Sequence, residues 1–226
     1  MDEGPCTSLT YSLHYIFLTS QEIQETTASE PLTIDEEYAM QRSWRTDHDK
    51  LTFIACQPLP ERQDEEGKRT VVASRDDTPD RMLGDVNLFL APADEDDEGC
   101  IGELELMIAP TTARRKGYGR AAILTFLSYI ENHLEEILEE YRSGVGGQEA
   151  GKMKLLMLWV KISGKNEKSI GLFEGIGFVK TSEGENYFGE VEMGFEGAIG
   201  RGRVGKLMER FGIEGYTEME YVDAKL

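Results

Sequence analysis

Cysteine, histidine and positive charge are all scarce in this chain of 226 residues. Cys6, Cys56 and Cys100 are odd in number and widely spaced, which fits neither a disulfide framework nor a zinc site. They read as reduced, mostly buried thiols of a cytoplasmic protein. His14, His48 and His133 lie far apart without metal-ligand spacing, so no metal is expected. No run reaches the ~18 apolar residues of a membrane span. The apolar "LTYSLHYIFL" near the start follows Asp2 and Glu3, not the basic residues of a signal peptide. With 24 basic against 43 acidic residues the formal charge is −19, which repels nucleic acid and anionic membranes at long range. It mildly favours a cationic or amine-bearing partner.

The rest of the composition is that of a folded protein: 39% hydrophobic and 9% aromatic, enough for one core and one domain with insertions. "LTIDEEYAMQRSW" opens with a capping box, Thr33 to Glu36, and continues at helical spacing. "KLTFIAC" and "RTVVAS" read as two strands joined in hairpin fashion through the charged insert "PERQDEEG". "GDVNLFLAP" and "CIGELELMIA" read as strands on either side of "DEDDE" (residues 94–98), a solvated acidic loop. Residues 118–141 place Ile123, Leu127, Ile130, Leu134, Ile137 and Tyr141 on one face of a single long amphipathic helix. After the flexible "RSGVGGQEAG" come a buried strand "KLLMLWVKI", a short helix "NEKSIGLFEGIGF" and a closing strand "YFGEVEMGF". Two glycine patterns are set aside. "GGQEAGKM" lacks the magnesium-binding hydroxyl and runs from helix to strand, the reverse of a P-loop. "GRGRVG" has no room downstream for a dinucleotide-binding βαβ unit.

One stretch carries chemistry. In "GELELMIAPTTARRKGYGRAAI" the strand pattern stops at Pro110 and a helix begins near Gly117. The first N–H groups of a helix lack intrahelical acceptors, and its macrodipole adds about half a positive charge there. Gly117 and Gly119 admit a ligand close to the backbone, with Tyr118 between them. Arg114, Arg115, Lys116 and Arg120 surround the turn with positive charge. With no magnesium ligand nearby, such a cradle suits a pyrophosphate held by backbone amides.

"RRKGYG" resembles the Arg/Gln-x-x-Gly-x-Gly/Ala motif of the GNAT acetyltransferase superfamily, whose turn holds the coenzyme A pyrophosphate. Asn166 stands where that superfamily often has an Asn before a helix ending in Gly-Phe, here Gly177 and Phe178. The order strand, motif, long helix, strand, Asn-helix, strand fits as well. "TTASEPLTIDEEYAMQRSW", "GDVNLFL", "GELELMIAP" and "YFGEVEMGF" are similar to the N-acetyltransferase 9 branch. The resemblance implies an α/β (α+β) GNAT fold, a mixed central sheet flanked by helices, over residues 26–196. Residues 1–25 would be a divergent N-terminal segment, in which 1–19 do not resemble the family's opening strand and helix. Residues 197–226 would be a C-terminal extension. It also implies acetyl-CoA as co-substrate, a protein or peptide N-terminus as acceptor, with tubulin proposed for that branch, and no metal.

The implied reaction is attack of an amine on a thioester. Deprotonating a lysine amine at pH 7 costs about 4.6 kcal/mol, an N-terminal amine about 1 kcal/mol. An N-terminal acceptor therefore needs only a modest base. Glu103 and Glu105 are the candidates, two apart on a central strand and so on one face, opposite Leu104, Leu106 and Ile108. Glu103 occupies the position that carries the base in some GNAT enzymes, so the resemblance makes it the better candidate and Glu105 the second. The resemblance assigns the backbone amides of Met107, Ile108 and Ala109 to the pantetheine arm and the thioester carbonyl. Phe173 stands where many GNAT enzymes carry a Tyr that protonates the departing thiolate, and Phe has no proton to give. Two further readings share the fold. A catalytically weak binding module linked to microtubules would explain Phe173 but not the acidity. A small-amine acetyltransferase would differ only in acceptor.

Overall fold

The computed structural model describes residues 33–44, 46–59, 69–93, 99–145, 153–196 and 202–222. Segment 1–25 with its "LTYSLHYIFL", Cys6 and His14, the charged inserts at 60–68 and 94–98, and the glycine-rich 146–152 lie outside them.

Helix α1 (Ile34–Trp44) begins at the expected capping box. The Thr33 N–H donates to Glu36 Oε2 at 2.8 Å, and the Glu36 N–H donates back to Thr33 Oγ1 at 3.3 Å. Those bonds, with one from the Thr33 hydroxyl, hold the Glu36 carboxyl below the ordinary carboxylate range. Strand β1 (Lys50–Cys56) follows, then the short β2 (Thr70–Val72). Next come β3 (Met82–Pro92) and β4 (Gly99–Ile108). Helices α2 (Tyr118–Asn132) and α3 (Leu134–Gly144) cover one face. Strand β5 (Lys154–Ser163), helix α4 (Glu167–Ile176), the two-residue β6 (Val179–Lys180) and β7 (Glu190–Glu196) complete the main sheet. Helix α5 (Arg203–Arg210) and β8 (Glu220–Val222) follow.

The main sheet has the order β1-β3-β4-β5-β7-β6 and is antiparallel except where β4 runs parallel to β5. Alternation along the strands separates two faces. Val86, Leu88, Leu104, Leu158, Val160, Met193 and Phe195 point to one face and are buried there. Ile123, Leu124, Leu127 and Ile130 of α2 meet them with essentially no exposed surface. Each such side chain contributes roughly 1.5–3 kcal/mol by leaving water. Val204 and Met208 of α5 belong to the same core, so the described part of segment 197–226 packs into the domain.

Three local expectations are corrected. The chain does not run as one helix from 118 to 141: it bends at His133, whose φ of −113° and ψ of 19° leave the helical region. Hydrogen bonds His133 N–H to Tyr129 O and Ile137 N–H to His133 O, both 3.0 Å, keep the apolar face continuous across the bend. That continuity is why periodicity alone reads one helix. The His133 ring is drawn aside by Glu218 at 2.9 Å and lies 4.4 Å from the Tyr129 ring. Secondly, β1 and β2 form no hairpin. β1 pairs with β3, whereas β2 pairs in parallel with β8, Thr70 opposite Glu220, a partnership some 150 residues distant. Thirdly, β5 is internal to the sheet, but its leading half is not uniformly buried, and Leu156 is exposed.

Gly84 of β3 lies against the end of β4, opposite Ile108. A Cβ there would overlap the Met107 carbonyl oxygen, and its φ of 155° disfavours other residues. Gly84→Ala should therefore push the two strands apart and cost about 1–3 kcal/mol. Urea unfolding measures this as a lower midpoint. An unchanged midpoint would mean that the strand ends are free to separate.

Candidate active site

The site begins where two strands part. β4 and β5 pair from Gly99 opposite Lys154 to Glu103 opposite Trp159, and no further, although both strands continue. Beyond that point β4 is held on one edge only, by β3. Ala109 N–H donates to Leu83 O at 2.8 Å, and at the other end Ala93 N–H donates to Gly99 O at 3.1 Å. Pro92, which has no N–H, stands opposite Cys100. In an antiparallel ladder these observations fix the alternation: odd-numbered residues of β4 bond to β3 and even-numbered ones turn toward β5. The Leu104 N–H therefore serves the last pairing, at Trp159, and Leu106 and Ile108 turn theirs toward the gap. Of the three amides assigned from sequence, Met107 and Ala109 are therefore directed at β3. Ile108 faces the gap, and Leu106 joins it. Sequence reasoning missed Leu106 because side-chain alternation shows faces, whereas edge direction requires the register.

The turn after β4 leads into the same gap. Gly117 precedes α2 with a φ of 90°, no side chain caps the helix, and no acidic residue lies in its first turn. The N–H groups of Tyr118, Gly119 and Arg120 thus begin the helix without an intrahelical acceptor or a neutralising charge. A Cβ built on Gly117 would meet nothing within 4 Å, so the turn has open space at that point. Gly119 rests near Leu106 and Ile108: a Cβ on it would lie 3.5 and 3.7 Å from their side chains, which pins the helix start to the end of β4. The four basic side chains divide their work. Arg114 bends back to donate to Ile108 O at 2.9 Å and Ala109 O at 3.0 Å, bracing the turn. Arg120 stacks on Phe211 at 4.3 Å, with its Nε buried and unpartnered. Arg115, at a left-handed φ of 63°, and Lys116 are exposed at the turn.

Glu103 and Glu105 project together from the face opposite the core, as expected. Glu103 is ion-paired: Lys161 Nζ lies 2.9 Å from its Oε2 and 4.5 Å from the centre of the Trp159 ring. Glu105 has one side open to solvent and protein crowded around the other. Burial, and secondarily the Glu103 charge, push its carboxyl above the ordinary range, while Lys161 pulls the other way. A carboxylate so placed is a stronger base than a free one. Behind it, toward β3, stand the buried Asn87 and Asp85, with Asn87 directly opposite Glu105.

Asn166 and Phe173 come from α4. Asn166 Oδ1 accepts from Ser169 N–H at 3.2 Å and caps the helix. Phe173 is 4% exposed and packs edge-on against Phe178, ring centres 5.1 Å apart, within the core. Among the described residues no cluster of three or more metal-ligating side chains occurs. Removing the cap, Asn166→Ala should cost about 1 kcal/mol, with Asn166→Asp restoring most of it. Thermal unfolding of both variants checks this, and equal stability of all three proteins would mean that the bond contributes nothing.

Comparison with known proteins places this geometry. Residues 13–179 match the family described as an acetyltransferase (GNAT) domain. The chain is similar to the N-acetyltransferase 9-like protein of Schizosaccharomyces pombe, 37% identical over 202 residues that cover 80% of this chain and 85% of that one. It is also similar to the alpha/beta-tubulin-N-acetyltransferase 9 of Drosophila melanogaster, 36% identical over 168 residues, 74% of this chain and 70% of the relative. Among solved structures, the spermidine N-acetyltransferase of Vibrio cholerae in complex with CoA and spermine shares the fold. Its TM-score is 0.54 at 17% identity, over 82% of this chain and 89% of that one. Matched by family and by relatives over most of its length, this chain belongs to the GNAT N-acetyltransferase family.

Proposed function

We propose that this N-acetyltransferase moves the acetyl group of acetyl-CoA to the α-amine of a protein N-terminus in the cytoplasm. Tubulin is the partner suggested by the name of its Drosophila relative. The observation that carries the α-amine is the acid–base equipment: one solvent-reached carboxylate of raised pKa, Glu105, and a phenylalanine at position 173. That suits an amine near pKa 7.7 and falls short for a lysine near 10.4, which starts some 3–4 kcal/mol worse off at neutral pH.

The residues present fit a coenzyme A thioester. Leu106 and Ile108 offer amides on an unpaired strand edge, the start of α2 offers further N–H groups, Gly117 leaves room, and Arg115 and Lys116 supply exposed charge. When bound, acetyl-CoA supplies an acyl carbon open to attack. The Leu106 and Ile108 N–H groups would orient the pantetheine arm and donate to developing charge on the thioester oxygen. Arg114 holds the carbonyls of Ile108 and Ala109, so the edge is braced before a ligand arrives. Glu105 takes the amine proton, directly or through one water. Glu103 ranks second here, because Lys161 already engages one of its oxygens. Phe173 leaves protonation of the departing thiolate to water.

A base works when deprotonated, so activity is lost as pH falls through its pKa. The raised pKa of Glu105 puts the acidic limb of kcat above the ordinary glutamate value of about 4.3. Glu105→Gln should abolish that limb and lower kcat on the order of 10²-fold with coenzyme A affinity kept. A limb that survives in both Glu105→Gln and Glu103→Gln would hand the role to water.

The acceptor is tested with two peptides of one sequence, one with a free N-terminus and blocked lysines, the other reversed. Transfer to the free N-terminus is expected. Transfer mainly to lysine would remove the α-amine and leave the acetyltransferase.

A further inference from the structure

A line of polar side chains crosses the sheet beside the proposed base. Thr52 of β1 stands opposite Asn87 of β3, and Asn87 opposite Glu105 of β4, so the three side chains project from one face of neighbouring strands. The floor deepens along this line, from Glu105, which solvent reaches, to Asn87, which is 3% exposed. Asn87 Nδ2 donates to Asp85 Oδ1 at 3.0 Å. Its Oδ1 is left buried without a partner, and so is the neighbouring Thr52 Oγ1.

Two adjacent buried oxygens without donors are costly to a fold, and a valine of the same shape at position 52 would remove one of them. Both are neutral acceptors. A second ammonium placed against neutral oxygens would keep most of its desolvation cost, whereas a peptide N–H asks only for an oxygen. Successive N–H groups of an extended chain point to opposite sides. The first two therefore meet one floor only where the backbone turns, as in the first turn of a helix, whose free N–H groups point one way. Neighbouring strands lie about 4.8 Å apart, a spacing that the Asn87 and Thr52 side chains bring within reach of such a turn.

We propose that Asn87 and Thr52 accept the first and second peptide N–H groups of the acceptor, selecting a polypeptide over a free polyamine. The inference rests on the reading that the acceptor amine lies at Glu105, and it adds the residues that recognise the peptide backbone beyond that amine. Thr52 and Asn87 are specificity residues and take no part in the proton transfer.

The probe is the peptide acetylated fastest in a panel of free N-termini, made also with a methyl on its first or second peptide nitrogen, and spermidine as the polyamine. Thr52→Val should fold as well as the parent or better by thermal unfolding, bind coenzyme A equally, and raise KM for the peptide roughly 3- to 10-fold with little change in kcat. Methylating the second nitrogen should raise KM similarly in the parent and add little in Thr52→Val. Should Asn87→Ser fold less well, the first-nitrogen methyl peptide carries the same question on the parent enzyme. A peptide KM unmoved by Thr52→Val and by both methyl groups would overturn the strip while the α-amine acceptor stands. A parent enzyme that acetylates spermidine or lysine and no peptide N-terminus would overturn both.

Discussion

Everything at this site depends on a parallel strand pair that stops pairing halfway. A central strand normally spends its N–H and C=O groups on two neighbours, and a buried one left unpaired costs free energy comparable to a lost hydrogen bond. Here β4 leaves β5 after Glu103, and the N–H groups of Leu106 and Ile108 face a gap. The surrounding contacts hold that gap rather than close it. Gly84 lets β3 approach the Met107 carbonyl, Gly119 seats α2 against Leu106 and Ile108, and Arg114 ties the turn to the last carbonyls of the strand. A ligand that brings its own acceptors completes the ladder.

The same strand divides the chemistry between its two faces. Cys100, Leu104 and Leu106 of β4 join the apolar core, and odd-numbered positions carry Glu103 and Glu105 on the far side. In the proposed reaction one strand therefore presents backbone donors to a thioester and a carboxylate to an amine without either group entering the core. The mutual influence of Glu103, Lys161 and Glu105 separates two like residues into different roles: one is ion-paired, the other is left with raised basicity.

What the sequence made legible was local or periodic. The capping box from Thr33 to Glu36, the Asn166 cap, the alternation of β4 and the glycine turn before α2 all lie within a few residues, and the structure contains each. The union of β2 with β8 was not legible, because short strands carry no partner code across some 150 residues. Nor was the bend at His133, where the apolar stripe continues although the backbone turns. Four basic residues around one turn look alike in sequence. Only coordinates distinguish Arg114, spent on carbonyls, and Arg120, stacked on Phe211, from the exposed Arg115 and Lys116. The gap-facing amides needed the register, although Pro92 held a clue: a residue without an N–H favours the non-bonded position of a ladder.

Amide hydrogen exchange on the isotopically labelled protein, with and without coenzyme A, tests the central claim most directly. Leu106 and Ile108 should exchange quickly alone and become protected when coenzyme A binds, while Met107 and Ala109, bonded to β3 throughout, should change little. Protection that appears at Met107 and Ala109 instead, or at none of the four, would contradict a cofactor held on the open edge of β4.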